Sequence, residues 1–103
     1  MMRYLVYFEV PADVGNRIDF EEGGPGKIIG YMMNRFTPEV VYSQAGLRAV
    51  FMVADLDEAQ MTEIMLIVSK RLGTYPEFTP VIPGAATPGI AAKAIEEAKK
   101  APT

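Results

Sequence analysis

Polar side chains cluster in the segment 13–19, where their types and spacing suit the binding of an anionic ligand. Asn16, Arg17 and Asp19 fall close together in this segment. An arginine can bind a carboxylate through two parallel hydrogen bonds, and amide and carboxylate groups can orient the rest of a polar molecule. We predict Asn16 and Arg17 as ligand-binding residues and Asp19 as a catalytic acid or base. The alternative is an exposed turn at Gly15 and Asn16, with Arg17 paired to Asp19 or Glu21 in solvent.

Two charged residues interrupt otherwise apolar stretches of the chain. Glu9 lies in the run 4–10 and Arg48 in the run 47–54. If these runs are neighbouring strands, the two side chains can lie on a common face and neutralise one another. A carboxylate desolvated in such a pocket can have a raised pKa and serve as a base. We predict Glu9 as a second catalytic candidate and Arg48 as a ligand-binding residue. A structural ion pair, or plain exposure near a strand end, is the alternative.

Two tyrosines, Tyr31 and Tyr42, are further binding candidates. Each combines an aromatic ring with a polar hydroxyl, which suits the wall of a cavity between helices and a sheet. We predict both as ligand-binding residues, with a place in the ordinary core as the alternative.

A Gly-Lys pair ends the stretch EEGGPGKII at residues 21–29, as it does in phosphate-binding P-loops. The P-loop pattern requires glycine where this chain has Glu21, and serine or threonine where it has Ile28. The stretch is better interpreted as a loop leading into a helix, whose N-terminus still attracts anions weakly.

The chain has neither cysteine nor histidine. Disulfides, thiolate zinc sites, cysteine nucleophiles and histidine-ligated haem or zinc are therefore excluded. Any acid or base must be a carboxylate, a lysine or a tyrosine. Acidic residues at 21–22 and 55–58 have helix-cap explanations and lack a complete oxygen cage, so we predict no metal and no cofactor.

The balance of charge argues against nucleic acid as a partner. The formal net charge is -3, and basic residues occur in no run longer than two, whereas a phosphate backbone is held by a basic surface. The N-terminal stretch MMRYLVYFEV lacks a small-residue cleavage site and is interpreted as a strand. No apolar run approaches membrane-spanning length. We expect a soluble, cytoplasmic protein without a membrane partner.

Periodicity and turn signals predict six elements in the order strand, helix, strand, strand, helix, strand. Asp57 and Gln60 are spaced as a capping box for the second helix, and Gly73 supplies its end. Residues 11–24 are expected to form a polar connection. The element order predicts an α+β, ferredoxin-like βαββαβ fold, with a four-stranded antiparallel sheet and two helices on one face. The predicted elements are strand 4–10, helix 25–36, strand 39–43, strand 47–54, helix 57–72 and strand 75–82.

The second face of the predicted sheet is also largely apolar. In the first strand, Tyr4, Val6, Phe8 and Val10 lie on one side, and Leu5 and Tyr7 lie on the other. The run 47–54 is apolar on both sides. Such a face is usually buried by another sheet, so we predict a homodimer or higher oligomer formed sheet to sheet. We assign residues 1–83 to this domain and 84–103 to a C-terminal tail with a weakly apolar helix, which either frays or lies across a partner.

The span from Met2 to Pro83 resembles the dimeric alpha-beta barrel superfamily, including muconolactone-isomerase-like and uncharacterised members. The resemblance lies in RYLVYFEVP with the GN that follows it, in the FMVADLDEAQ junction and in the LGTYPEFTPVIP ending. It implies two ferredoxin-like subunits packed sheet against sheet. Members include lactone isomerases, cofactor-independent monooxygenases and haem-degrading enzymes, so the fold leaves the reaction open.

These observations predict a homodimeric protein that binds a small molecule between sheet and helices. It is expected to be an isomerase or cofactor-independent oxygenase acting on a small organic acid or an aromatic compound. The alternative is a non-enzymatic binding or assembly module, in which methionine-rich helices and the alanine-rich tail contact a partner.

Overall fold

Four strands form one antiparallel sheet in the computed structural model, which describes residues 1–102. They lie in the order β2-β3-β1-β4, with β1 and β3 paired along their full length from Met2 opposite Leu56 to Glu9 opposite Ala49. The predicted α+β class and the predicted pairing of the first and third strands are therefore confirmed. The strands are β1 (Met2–Glu9), β2 (Val40–Ser43), β3 (Ala49–Leu56) and β4 (Glu77–Pro80).

Four helices accompany the sheet, with one short 3-10 turn at Gly84–Ala86. The second and third helices correspond to the predicted helices 25–36 and 57–72, with boundaries shifted by one residue at most. The fourth is the helix predicted in the C-terminal tail. The first was not predicted. The helices are α1 (Ala12–Glu21), α2 (Gly26–Phe36), α3 (Glu58–Leu72) and α4 (Thr87–Ala98).

The polar connection expected between residues 11 and 24 is wrong, because most of it is helix α1. Gly15 and Asn16 disfavour a helix on propensity alone. However, Val14 and Ile18 are spaced one turn apart and both pack against the core, which holds the segment in helical form. The turn expected at Gly15 is likewise wrong, since that residue is helical and buried.

Helix α3 begins and ends as its sequence predicts. The Asp57 carboxylate accepts a hydrogen bond from the Gln60 backbone at 2.8 Å, and the Gln60 side chain accepts one from the Asp57 backbone at 3.0 Å. Gly73 ends the helix with a φ of 69°, in the left-handed region that glycine tolerates best. A cap of this kind contributes about 1 kcal/mol.

The core lies between one face of the sheet and helices α1, α2 and α3. Alternate residues of the two central strands point into it, as the period of two in a strand requires. Each fully buried large apolar side chain contributes roughly 1.5–3 kcal/mol. The buried set comprises Val6, Phe8, Val50, Met52, Ala54 and Leu56 from the strands and Ile18, Met32, Phe36, Ile64, Val68 and Leu72 from the helices.

The opposite face of the sheet, which we call the open sheet face, is apolar as expected. Leu5, Tyr7, Phe51 and Val53 are half-buried along its centre, and the Tyr7 and Phe51 ring centroids lie 4.8 Å apart. Tyr42 extends this surface onto β2, opposite Phe51. Packing against a second copy stays a prediction.

Helix α4 extends away from the sheet. The Cα radius of gyration is 17.4 Å, against roughly 13 Å for a compact chain of about this length. Ile90 and Ile95 are about half exposed, so the apolar side of α4 is not packed into the core. Among residues 1–102, no helix combines the length and apolar character needed to cross a membrane.

Candidate functional site

A cleft between the sheet and helices α1 and α2 is the best-formed cavity; we call it the helix-side cleft. Its volume is about 200 Å³. The walls are mainly aliphatic and aromatic, since the inner faces of β1, β3 and the two helices converge there. Asp19 and Arg48 supply its charged groups. Apolar lining residues include Phe8, Ile18, Ile28, Ile29, Met32 and Leu72.

Arg48 lies at the rim of this cleft, just before β3. Its backbone carbonyl accepts a hydrogen bond from the Val10 amide at 2.7 Å, which fixes its position beside β1. Its Nε donates to Asp19 Oδ2 at 2.8 Å, and its Nη2 donates to Asn16 Oδ1 at 2.9 Å. The structure therefore brings together three of the predicted site residues, Asn16, Asp19 and Arg48.

Gly15 lets the arginine approach helix α1 this closely. A Cβ atom at this position would lie 2.6 Å from Arg48 Nε, well inside van der Waals contact. The absence of a side chain on Gly15 therefore opens the path of the Arg48 side chain over the helix. Because the sequence predicts a turn here, its glycine gives no signal of this close approach.

The charged pair at the rim retains contact with solvent. The Arg48 and Asp19 side chains are 34% and 35% exposed, so their attraction is partly screened. Across residues 1–102, Arg48 Nη1 makes no hydrogen bond to the protein. Nη1 therefore remains available to a further acceptor, whereas Nε and Nη2 are held by Asp19 and Asn16.

Glu9 and Arg48 do not pair, and Glu9 instead fits the alternative of exposure near a strand end. Glu9 lies opposite Ala49 at the end of β1 and accepts a hydrogen bond from the Tyr7 hydroxyl at 3.3 Å. Arg48 instead turns toward helix α1. Both residues border a shallow second recess, but the ion pair is absent from the part of the chain described. Glu9 does not line the helix-side cleft, so the two catalytic candidates, Glu9 and Asp19, are not brought together there.

Tyr7 has a raised pKa. Partial desolvation is the main cause, followed by the negative charge and hydrogen bond of Glu9 and then by the charge of Glu77. Both carboxylates oppose the formation of a phenolate. Tyr7 is therefore held as a neutral hydrogen-bond donor on the open sheet face.

The remaining predicted residues lie away from the cleft. Arg17 pairs with Glu22 at 3.0 Å on the surface, as in the solvent alternative but with a different carboxylate. Tyr31 and Tyr42 are 53% and 67% exposed. Their expected place in a cavity between helices and sheet is wrong, because neither lines the helix-side cleft.

The Gly-Lys stretch forms the link between two helices and does not follow a strand. Gly23 and Gly24 have φ values of 84° and 93°, which glycine adopts readily. Pro25 and Ile28, at the start of α2, line the cleft. The interpretation as a loop leading into a helix is confirmed.

Sequence reasoning missed the apolar walls of the cleft as a functional feature. The stripe that includes Ile28, Ile29 and Met32 was recognised only as a core-facing helix surface. Periodicity identifies the inward side of a helix, but it does not reveal whether the space against that side is filled.

Comparisons with known proteins give this chain no significant relative. No family model matches it, and neither a curated protein nor a solved structure does so. The likeness to dimeric alpha-beta barrels therefore remains a resemblance, and the functional conclusion follows from the geometry of the cleft.

Proposed function

We propose that this protein binds a small organic molecule with an apolar body in the helix-side cleft. The observation that carries the proposal is an apolar cavity with Asp19 and Arg48 at its rim and Asn16 hydrogen-bonded to Arg48. Small-molecule sites are typically concave and apolar, with a few placed polar groups that orient the ligand.

The size of the cleft restricts the ligand. Its volume is about 200 Å³, whereas an engineered apolar cavity of roughly 150 Å³ holds benzene. A single ring or a short chain with one polar group fits this range, and a nucleotide or a haem is too large.

For an enzyme of this architecture, we propose isomerisation or cofactor-independent oxygenation of a small organic acid or aromatic compound. Asp19 is the carboxylate at the cleft, so it is the group placed to exchange a proton with a bound ligand. Arg48 would stabilise negative charge that develops on the ligand.

We further propose that the subunits are ferredoxin-like and pair sheet to sheet, as in dimeric alpha-beta barrels. The apolar centre of the open sheet face supports this arrangement, since an exposed contiguous patch of this kind usually marks an interaction surface. The partner would be a second copy of the chain, whose identical face is equally apolar.

The binding proposal is tested by blocking the cleft. Ile28→Trp adds bulk to the cleft wall, whereas Leu66→Trp adds the same bulk on α3, where Leu66 is 57% exposed. Benzyl alcohol, titrated into ¹⁵N-labelled protein, is expected to shift cleft amides in the wild type and in Leu66→Trp. In Ile28→Trp those shifts should disappear. Equal binding by all three proteins would contradict the cleft assignment.

A second candidate function is that of a non-enzymatic assembly module. The exposed apolar side of α4 favours it, because an isolated helix of 12 residues is marginal in water without a packing partner. Deleting residues 87–103 would then abolish oligomers in sedimentation equilibrium while leaving benzyl alcohol binding unchanged. Unchanged oligomers after the deletion would rule out this role for α4.

A further inference from the structure

We infer that the natural ligand is a small monocarboxylate, and that its carboxylate takes the place of Asp19 on Arg48. This inference rests on the proposed binding function and adds the ligand class and a built-in competitor. The geometry points to it because a side-chain carboxylate already binds this arginine: Asp19 Oδ2 lies 2.8 Å from Arg48 Nε.

Arg48 offers a carboxylate the correct kind of partner. Its planar guanidinium presents donors in a fork that matches the two oxygens of a carboxylate. Nε is occupied by Asp19 and one Nη2 hydrogen by Asn16. A ligand that displaces Asp19 gains Nε together with the second hydrogen of Nη2, while Asn16 continues to hold the side chain in position.

The Asp19 carboxylate can leave Arg48 and enter solvent. Its side chain is 35% exposed, so water can solvate the carboxylate once it leaves the arginine. Displacement therefore exchanges one partly screened ion pair for another. The advantage of the ligand comes from its apolar body, which enters the cleft and leaves water.

The interior of the cleft restricts the ligand to a single negative charge. Beyond the rim its walls are apolar, with residues such as Phe8, Ile29 and Met32. A second carboxylate buried there would have no partner, and an unpaired buried charge is strongly unfavourable. A dicarboxylate of the same ring size should therefore bind far more weakly.

The experiment measures affinity by ¹H–¹⁵N NMR titration with matched probes. These are benzoate, hexanoate, the neutral analogues benzyl alcohol and hexan-1-ol, and the dianion terephthalate. In the wild type, a monocarboxylate should bind at least roughly threefold more tightly than its neutral analogue, because the gain is limited by the displaced pair. Terephthalate should bind more weakly than benzoate.

Asp19→Asn removes the competing charge and keeps the shape of the side chain. The affinity for benzoate should rise roughly three- to tenfold relative to the affinity for benzyl alcohol. Asp13→Asn is the matched control, since it removes the same charge from an exposed position on the same helix and should not alter the ratio of the two affinities. Arg48→Met should abolish the preference for benzoate over benzyl alcohol.

The outcomes separate this inference from the binding proposal. Equal affinity for benzoate and benzyl alcohol in the wild type, unaltered by Asp19→Asn, would overturn the monocarboxylate assignment and leave the cleft as a binding site. Failure of every probe to shift cleft amides would overturn both. A native-like amide spectrum for each variant establishes that altered affinity does not arise from unfolding.

Discussion

The two faces of the sheet are built from similar residues and differ in what covers them. On β1, Val6 and Phe8 face the helices and are buried, whereas Leu5 and Tyr7 on the other face remain half-buried. Three helices cover the first face and leave a cleft with a charged rim. Apolar alternation along a strand therefore shows that both faces can be buried, whereas a binding cleft forms only where the covering helices leave space against the sheet.

The largest contrast is expected from equal deletions on the two faces. Leu56→Ala empties a site that is 1% exposed and should lower the free energy of unfolding by about 2–5 kcal/mol. Leu5→Ala removes the same atoms from the open sheet face and should lower it by less than about 1.5 kcal/mol in dilute protein. Urea unfolding followed by circular dichroism measures both values. Equal losses at a concentration where the wild type is monomeric would mean that the open sheet face is already covered within the subunit.

A charge on the open sheet face is expected to separate self-association from folding. Val53→Asp places a carboxylate at its centre, where a second sheet would leave it without a partner. We expect self-association to weaken at least tenfold, roughly 1.4 kcal/mol, in analytical ultracentrifugation, with an unchanged circular dichroism spectrum. Glu58→Asp, an exposed conservative change outside the sheet, is the control. An unaltered dimer in Val53→Asp would exclude this face as the interface.

Two glycine substitutions test how closely the helices pack on the helix side of the sheet. Gly15→Ala places a Cβ against the Arg48 side chain and should destabilise the fold by about 1–3 kcal/mol, because the arginine or α1 must move. Gly30→Ala lies in α2, where no atom lies within 4 Å of the added Cβ, and should stabilise it by up to about 1 kcal/mol. Chemical denaturation measures both. A neutral Gly15→Ala with an unchanged Arg48 environment would contradict the close packing described.

The smallest effect concerns the titration of Tyr7. Its raised pKa means that the folded state favours the neutral phenol, whose contribution to stability is present below about pH 10 and is lost as pH rises through the folded-state value. The difference in absorbance at 295 nm between wild type and Tyr7→Phe isolates this titration. Glu9→Gln should lower the pKa, since one of its causes is removed. An ordinary tyrosine pKa in the wild type would contradict the description of this site.

Much of the fold was predictable because its signals are local. The capping box at Asp57, the glycine at position 73 and the stripe along α2 each specify structure through neighbouring residues. Helix α1 was not predictable in the same way, because Gly15 and Asn16 oppose it locally and only packing of Val14 and Ile18 against distant strands decides the outcome.

The site was predictable in its residues but only partly in their pairing. Asp19, Asn16 and Arg48 were recognised as candidates from their charge and setting. Their meeting depends on a helix that replaces the expected turn and on the open path over Gly15. Strand adjacency makes a pair between Glu9 and Arg48 possible, yet adjacency in register does not determine where a long side chain turns.

Native mass spectrometry of gently purified protein reports both the subunit number and any retained small molecule in one spectrum. The predicted result is a dimer that carries an additional organic mass, which is absent from Ile28→Trp and present in Leu66→Trp. A monomer in which added benzoate or benzyl alcohol produces no adduct would contradict both the sheet-to-sheet dimer and ligand binding in the helix-side cleft.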